Sequence, residues 1–438
     1  LSRPAITSSA GSLPGDPPGG RLALAVWGVG VSVYFVAVIF RTSLGVAGLD
    51  AAERFHVGAS ALSTFSILQL LVYAGMQIPV GLLVDRLGTK KVLTLGILLF
   101  TAGQIGFALS PSYGMALASR ALLGCGDAMT FISVLRLGSR WFPARRGPMI
   151  AQMAGLVGMA GNLVSTLLLA RLLHGVGWTA AFAGSSVAGA VVLVLTLLFL
   201  KDHPDGHEPE PFPHHGAAYV RRQIVASWRE PGTRLGMWVH FTTQFPAMVF
   251  LLLWGLPFLV QAQGLSRGTA GELLTLVVLS NMVFGLVYGQ IVARHHAARL
   301  PLALGTVLTT AAVWATTLLY PGEHAPMWLL IVLCAVLGAC GPASMLGFDF
   351  ARPANPPERQ GTASGITNMG GFVASMTTLL AVGVLLDLTD DDYGIAFSAV
   401  FVLQALGLSQ ILRLRGRAAR RERERLVASR VETVHVPA

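Results

Sequence analysis

The chain has 438 residues, 53% of them hydrophobic and only 12% charged, with a formal net charge of +10 and a mean hydropathy of +0.65. Soluble domains carry roughly 25% charged residues, so there are too few polar groups here to cover a water-facing surface. The positive charge invites nucleic acid as a partner, but it lies almost wholly in segments flanking apolar stretches, and the arginine-rich tail abuts a span and has no interleaved aromatics, so no nucleic-acid partner is expected.

Apolar stretches of 18 or more residues recur along nearly the whole chain, the pattern of membrane-crossing helices. Taken in order, they predict spans at 22–47, 58–84, 91–110, 113–138, 147–173, 178–200, 234–261, 269–292, 300–320, 325–349, 361–386 and 393–412. Only helices fit, because backbone groups in lipid must be satisfied within their own segment. The ten-residue alternation of a membrane barrel is absent. The expected fold is therefore an all-α membrane protein with twelve transmembrane helices in two six-helix bundles. Its divisions are a disordered N-terminus (1–21), a first bundle (22–200), a linker (201–233), a second bundle (234–412) and a basic tail (413–438).

Within the linker, KDHPDGHEPEPFPHH is polar and Pro-rich, and a short amphipathic stretch follows near Tyr219–Trp228. His203, His207, His214 and His215 lie there without metal-ligand spacing, so no metal is expected. Cys125, Cys334 and Cys340 fall inside spans and are expected to be free thiols. No phosphate-cradling loop, catalytic triad or zinc motif is present, so neither an enzyme nor a cofactor is expected.

Charge sets the orientation. Loops that would share one side (1–21, 85–91, 136–146, 201–234, 294–299, 350–360 and everything from 413) hold 26 of the 31 Lys and Arg. The opposite loops hold three, Arg54, Arg171 and Arg267. By the positive-inside rule both termini are cytoplasmic, in a multi-pass protein of the plasma membrane. The arginine-rich tail reads as an anchor to anionic lipid.

The halves echo each other. Gly81-Leu-Leu-Val-Asp85-Arg86 ends span 2, and Gly289-Gln-Ile-Val-Ala293-Arg294 ends span 8. Phe142-Pro-Ala-Arg145-Arg146-Gly147 precedes span 5, and Pro356-Pro-Glu-Arg359-Gln360-Gly361 precedes span 11. Duplicated halves imply a pseudo-two-fold axis along the membrane normal with a cavity between them.

The run Gly81-Leu-Leu-Val-Asp85-Arg86-Leu-Gly88-Thr-Lys90-Lys91 resembles the loop between spans 2 and 3 of the major facilitator superfamily. The resemblance covers the whole chain. It implies that Gly81, Asp85, Arg86, Gly88, Lys90 and Lys91 form a cytoplasmic latch of the outward-open state. On the residues alone, the two glycines permit close helix approach and a tight turn. Arg120-Ala-Leu-Leu-Gly124-Cys-Gly126-Asp127, Arg41, the WFPARRG run and Gly361-Thr-Ala-Ser-Gly365-Ile-Thr-Asn368-Met-Gly370-Gly371 look most like its anion:cation symporter branch. That branch carries organic anions such as sugar acids, often with protons. Phe40 stands before Arg41, where the branch often has an acid.

Arg41, Arg120 and Asp127 are ionisable groups deep within spans. A charge near the bilayer centre costs at least about 2.5–3.5 kcal/mol, so such groups pair or line a wet pathway. Arg41 is either a bidentate clamp for an anionic substrate or an arginine snorkelling to the outer headgroups. Asp127 is either a proton carrier or the fixed partner of Arg120, which lies two turns away on the same face. Tyr34, Gln69, Tyr73, Asn162, His240, Gln244, Trp254, Asn281 and Asn368 are further cavity candidates, or else interhelical hydrogen-bonding groups.

The expected function is proton-coupled symport of a small organic anion by a monomer, its partners being the solute, protons and the bilayer. A proton-driven efflux antiporter is the alternative within transport, although Gly155, Gly158 and Gly161 of span 5 are not followed by the proline of family antiporters. A transporter-like sensor or lipid-handling protein is the alternative from another class.

Overall fold

The computed structural model of the chain describes residues 19–143, 146–204, 217–356 and 359–434. Among these residues there is no strand. Eleven helical runs are long and apolar enough to cross a membrane. One of them, Met149–Phe199, has 51 residues, more than twice the ~20 that a crossing needs. It turns at Gly177, whose φ of 76° lies in the left-handed region that glycine alone enters without strain. Spans 5 and 6 meet at this turn, and the chain crosses twelve times.

The other spans are Gly20–Phe55, Ala59–Leu87, Thr89–Leu109, Tyr113–Trp141, Pro231–Ala262, Arg267–Arg294, Arg299–Leu318, Met327–Ala351, Gln360–Leu388 and Tyr393–Val434. Span 1 is interrupted at Ser43, whose N–H bonds back three residues to Phe40 O, so two helices meet there end to end. Span 7 widens into π-turns at Phe250–Trp254 and Phe258–Ala262.

The last span does not stop at the membrane boundary expected near residue 412. It continues as one 42-residue helix to Val434. Arg420 and Arg421 pair with Glu424 along this extension. Two further pairs, Arg299–Glu422 at 3.5 Å and Arg421–Glu230 at 3.9 Å, tie it to the starts of spans 9 and 7. The linker holds a helix at Ala217–Arg229, over the expected amphipathic stretch. The N-terminus to residue 18 and His207, His214 and His215 lie outside the described residues.

Packing within each half runs through small residues, as expected where lipid supplies no hydrophobic drive between helices. In the seam of spans 3 and 4, a methyl group on Gly96 would lie 2.9 Å from the carbonyl oxygen of Gly126. The two helices therefore touch backbone to backbone.

The halves join along spans 2 and 11 and between spans 1 and 7. The series starts at mid-depth with the rings of Tyr73 and Phe372, 5.6 Å apart. It continues with Ser63 Oγ donating to Leu379 O at 2.8 Å and ends at Asp387 against Ala59 and Ser60. Arg267 and Asp50 pair at 2.7 Å near the same end. From mid-depth these contacts run toward the end opposite the basic loops.

Candidate functional site

Asp127 is buried in span 4 with its side chain 1% exposed, and Arg41 reaches it from span 1 with 17% exposure. Arg41 Nε donates to Asp127 Oδ2 at 2.6 Å and Nη2 donates to Oδ1 at 2.7 Å. This is the fork-on-carboxylate geometry that makes a charge-assisted pair strong and directional. A lone carboxylate at that depth would cost several kcal/mol, and the paired guanidinium removes most of that cost.

The Arg41 guanidinium also sits over two aromatic faces, 4.7 Å from the Tyr73 centroid and 5.9 Å from that of Tyr34. Tyr34 leans on Phe131 at 5.2 Å and occupies the space left by Gly158 of span 5. The site in the first half is thus one cation held by one carboxylate between two rings. Arg41 points inward to this pair, so it does not snorkel to the outer headgroups.

Arg120 occupies a different place from the one expected of a carboxylate partner. Its Nη1 donates to Ser43 Oγ at 3.1 Å and to Phe40 O at 3.4 Å, and its Nη2 donates to Arg41 O at 3.2 Å. The guanidinium therefore binds the span 1 backbone around Ser43, while its Cζ lies 5.1 Å from the Phe107 ring centroid. The seven-residue spacing does put Arg120 and Asp127 on one face. Roughly 10 Å of helix rise separates them, and Arg41 reaches the carboxylate from another span. Phe40 packs away from the pair onto Phe100, ring centroids 5.5 Å apart.

The second half brings together His240 and Gln244 of span 7 with Asn368 and Gly371 of span 11. His240 is buried, and its Nδ1 lies 3.0 Å from Ser344 O. A carbonyl oxygen only accepts, so the proton is on Nδ1, and Nε2 of the neutral ring is left as an acceptor. Gln244 and Asn368 lie against the buried His240 ring, yet neither His240 Nε2 nor Gln244 Oε1 has a well-formed hydrogen bond. Gly371 makes room for them: a methyl group there would sit 2.7 Å from His240 Cδ2 and overlap the Gln244 amide.

The remaining candidates divide. Gln69 lies one turn from Tyr73, buried against Gly124 of span 4, with both amide atoms unpartnered. Asn162 is half-buried on span 5. Asn281 is placed in the seam with span 10, where its side chain abuts Gly341. Trp254 donates to Leu379 O at 3.2 Å on the way to the closed end.

At the basic end, Gly88 takes the tight turn expected of it, with φ 84°. Asp202, at the end of span 6, accepts from Lys90 N at 2.7 Å, and Lys90 Nζ donates to Leu197 O at 2.8 Å. Arg86 and Lys91 are exposed. The close approach expected at Gly81 is not made in this conformation, since nothing lies within 4 Å of where its Cβ would be. The side chain of Asp85 lies outside the described residues.

Sequence reasoning did not find Ser43, Phe372 or Asp387. Ser43 and Phe372 are ordinary residues in apolar runs. Asp387 is one of four aspartates near the end of span 11, with nothing local to distinguish it.

The profile described as Major Facilitator Superfamily matches residues 30–255 and 236–428. A relative from Bacillus subtilis, named as a probable galactarate/D-glucarate transporter, is 23% identical over 85% of this chain and 88% of its own length. One from Cupriavidus necator, named as a probable sulfoacetate transporter, is 24% identical over 87% of this chain and 91% of its own. Among solved structures, a D-xylose-proton symporter superposes with a TM-score of 0.67 at 14% identity, covering 90% of this chain and 97% of its own. A bacterial homolog of the human lysosomal transporter Spinster, inward-facing and occupied, also gives 0.67, at 15% identity over 94% of this chain and 98% of its own. At such identities the two structures speak for the fold alone.

Proposed function

The chain belongs to the Major Facilitator Superfamily, and we propose that it is a secondary active transporter, not an enzyme, that carries a small hydroxylated organic anion together with a proton. The observation that carries this reading is the two-bond pair of Arg41 and Asp127. One guanidinium is shared by one protein carboxylate. An incoming substrate carboxylate competes for the same fork, and two anions on one buried cation leave an uncompensated charge. A proton on Asp127 removes that charge, releases Nε and Nη2 of Arg41, and lets the substrate take their place. Anion and proton then bind together, which is symport. Tyr34 and Tyr73 hold the cation in position throughout, and Arg120 holds the span 1 backbone from which it projects.

The second half supplies the polyhydroxylated end. His240 Nε2 and Gln244 Oε1 are buried acceptors without a well-formed bond, and Asn368 lies beside them. Substrate hydroxyls fit that need, whereas an alkyl chain leaves both acceptors unpaired at about 1–3 kcal/mol each. Relatives named for galactarate, D-glucarate and sulfoacetate support an anionic cargo. Gln69 and Asn162 flank the site as secondary contacts, and Asn281 is left out of it.

With the basic loops assigned to the cytoplasm of a bacterial plasma membrane, the closed end is the outer one and this conformation faces inward. Gly81, Asp85, Arg86, Gly88, Lys90 and Lys91 then form the latch of the opposite state. The working unit is a monomer.

The test is uptake into proteoliposomes of hydroxylated and plain organic acids, with and without an inward proton gradient. Gradient-driven uptake of a hydroxy acid, lost in Asp127→Asn, is expected. Uptake indifferent both to the gradient and to Asp127→Asn would end the proposal.

A further inference from the structure

Span 2 begins at Ala59 directly after Gly58, an N-cap position with no side chain to satisfy the first helical N–H groups. The first four N–H groups of any helix need outside partners. Here they find one in the other half of the molecule. Asp387, at the far end of span 11, accepts from Ala59 N at 2.8 Å through Oδ1 and from Ser60 N at 2.9 Å through Oδ2.

The surroundings fit this contact. A methyl group on Gly58 would lie 2.8 Å from Asp387 Oδ1, so the missing side chain admits the carboxylate. Four residues before Asp387, Gly383 lets span 11 lie against the backbone of span 2: a methyl group there would be 2.8 Å from Ala59 O and 3.0 Å from Ser60 Cα. Arg267–Asp50 at the same end is about one-third exposed on each side, and Asp387 is exposed as well, so the cap differs from that ion pair by its two bonds to helix N–H groups and not by burial. A carboxylate on helix N–H groups is favoured by both the bonds and the helix dipole.

We infer that Asp387 is a conformational positioning residue: by capping span 2 from span 11 it selectively stabilises the state in which the end opposite the basic loops is closed. The same two helices carry Tyr73 and Phe372, which meet at mid-depth. The cap therefore fixes the spacing of the helices that present one wall of each half of the site. When this end opens, the cap is lost and the N–H groups of span 2 pass to water, so the bond weights one state and not the other.

The inference rests on the proposed function, a transporter that alternates between inward- and outward-facing states, and its test does not depend on which substrate is carried. Full-length protein in nanodiscs would carry spin labels in two pairs. Glu53 with Glu323 reports the far end, and Ser139 with Ala293 reports the basic end; all four positions are exposed. Asp387→Ala is expected to lengthen the first distance and shorten the second, changing the ratio of the two states about fivefold, the usual effect of losing an N-cap. Asp387→Asn, with one acceptor oxygen left, should fall between, and it is read in the same way if the alanine variant fails to fold.

A merely structural cap is separated from a latch by Gly58→Ser in the Asp387→Ala background. The serine supplies span 2 with its own cap and no bond between the halves. Persistence of the shifted distances in the double variant supports the latch. Unchanged distances in the single variants, or a return to wild-type distances in the double, overturns it. Retained gradient-driven uptake in the wild type together with unchanged distances in the variants would sink the latch while leaving the transport proposal standing.

Discussion

Arg41 and Asp127 are 86 positions apart in the chain and meet through two short, nearly parallel bonds at 2.6 and 2.7 Å. The pair is the point at which charge, depth and aromatic packing converge, and it generates the most direct predictions.

Removing one member is expected to be worse than removing both. Arg41→Met leaves a buried carboxylate alone, at about 3–5 kcal/mol, and should lower the thermal unfolding midpoint of the detergent-solubilised protein. The double change Arg41→Met with Asp127→Leu should recover most of that loss while remaining inactive. Thermal melts of the three variants beside an uptake assay check this; a double variant no more stable than Arg41→Met would contradict it.

Lysine at position 41 keeps the charge and loses the fork. Substrate affinity should fall by about 1.5–3 kcal/mol, the range for a hydrogen bond to a charged group. Protein yield should stay near wild type. Binding isotherms for a monocarboxylate and a hydroxy acid would show the same drop, because both engage Arg41 through a carboxylate.

The ring of Tyr73 lies 4.7 Å under the same guanidinium. Tyr73→Phe should be close to neutral, whereas Tyr73→Leu should cost about 0.5–2 kcal/mol of cation–π attraction. A phenylalanine variant as weak as the leucine one would point to the hydroxyl and away from the ring.

Gly371→Ala places a methyl group against His240 and Gln244. Displacement of those acceptors should raise KM for hydroxylated acids at least tenfold, with the proton dependence of uptake unchanged. KM and the pH profile measured together separate this from damage to the Arg41–Asp127 pair, which should alter both.

Gly126 in the seam of spans 3 and 4 has no space for a side chain, since Leu99 Cβ would lie 3.0 Å from an added methyl group and the span 3 backbone closer still. Gly126→Val should separate the helices at a cost of about 1–3 kcal/mol or more. The expected result is a loss of monodisperse protein on gel filtration, with any remaining transport showing normal coupling.

Much of the architecture is decided locally. Each crossing is set by about 20 consecutive residues, and its orientation by the charges flanking it. The twelve spans, the basic side and the presence of Arg41, Arg120 and Asp127 inside spans were legible for that reason. Spans 5 and 6 even part at Gly177, where the sequence separates two apolar runs.

Partnership is not a local property. Seven residues on one helix suggested that Arg120 serves Asp127, yet a side chain that projects sideways meets whatever the neighbouring span presents at its own depth. Only the packing of span 1 against span 4 sends Arg41 to the carboxylate and Arg120 to Ser43 and the span 1 backbone. Likewise, no sequence period joins Asp387 to Ala59 across 328 positions. Hydropathy and loop charge are sums along the chain, so the sequence by itself determined how often it crosses and that its basic connectors fall on one side. Hydrogen bonds act over three ångströms between spans, so the tertiary structure alone decided which charges face each other and which end is shut.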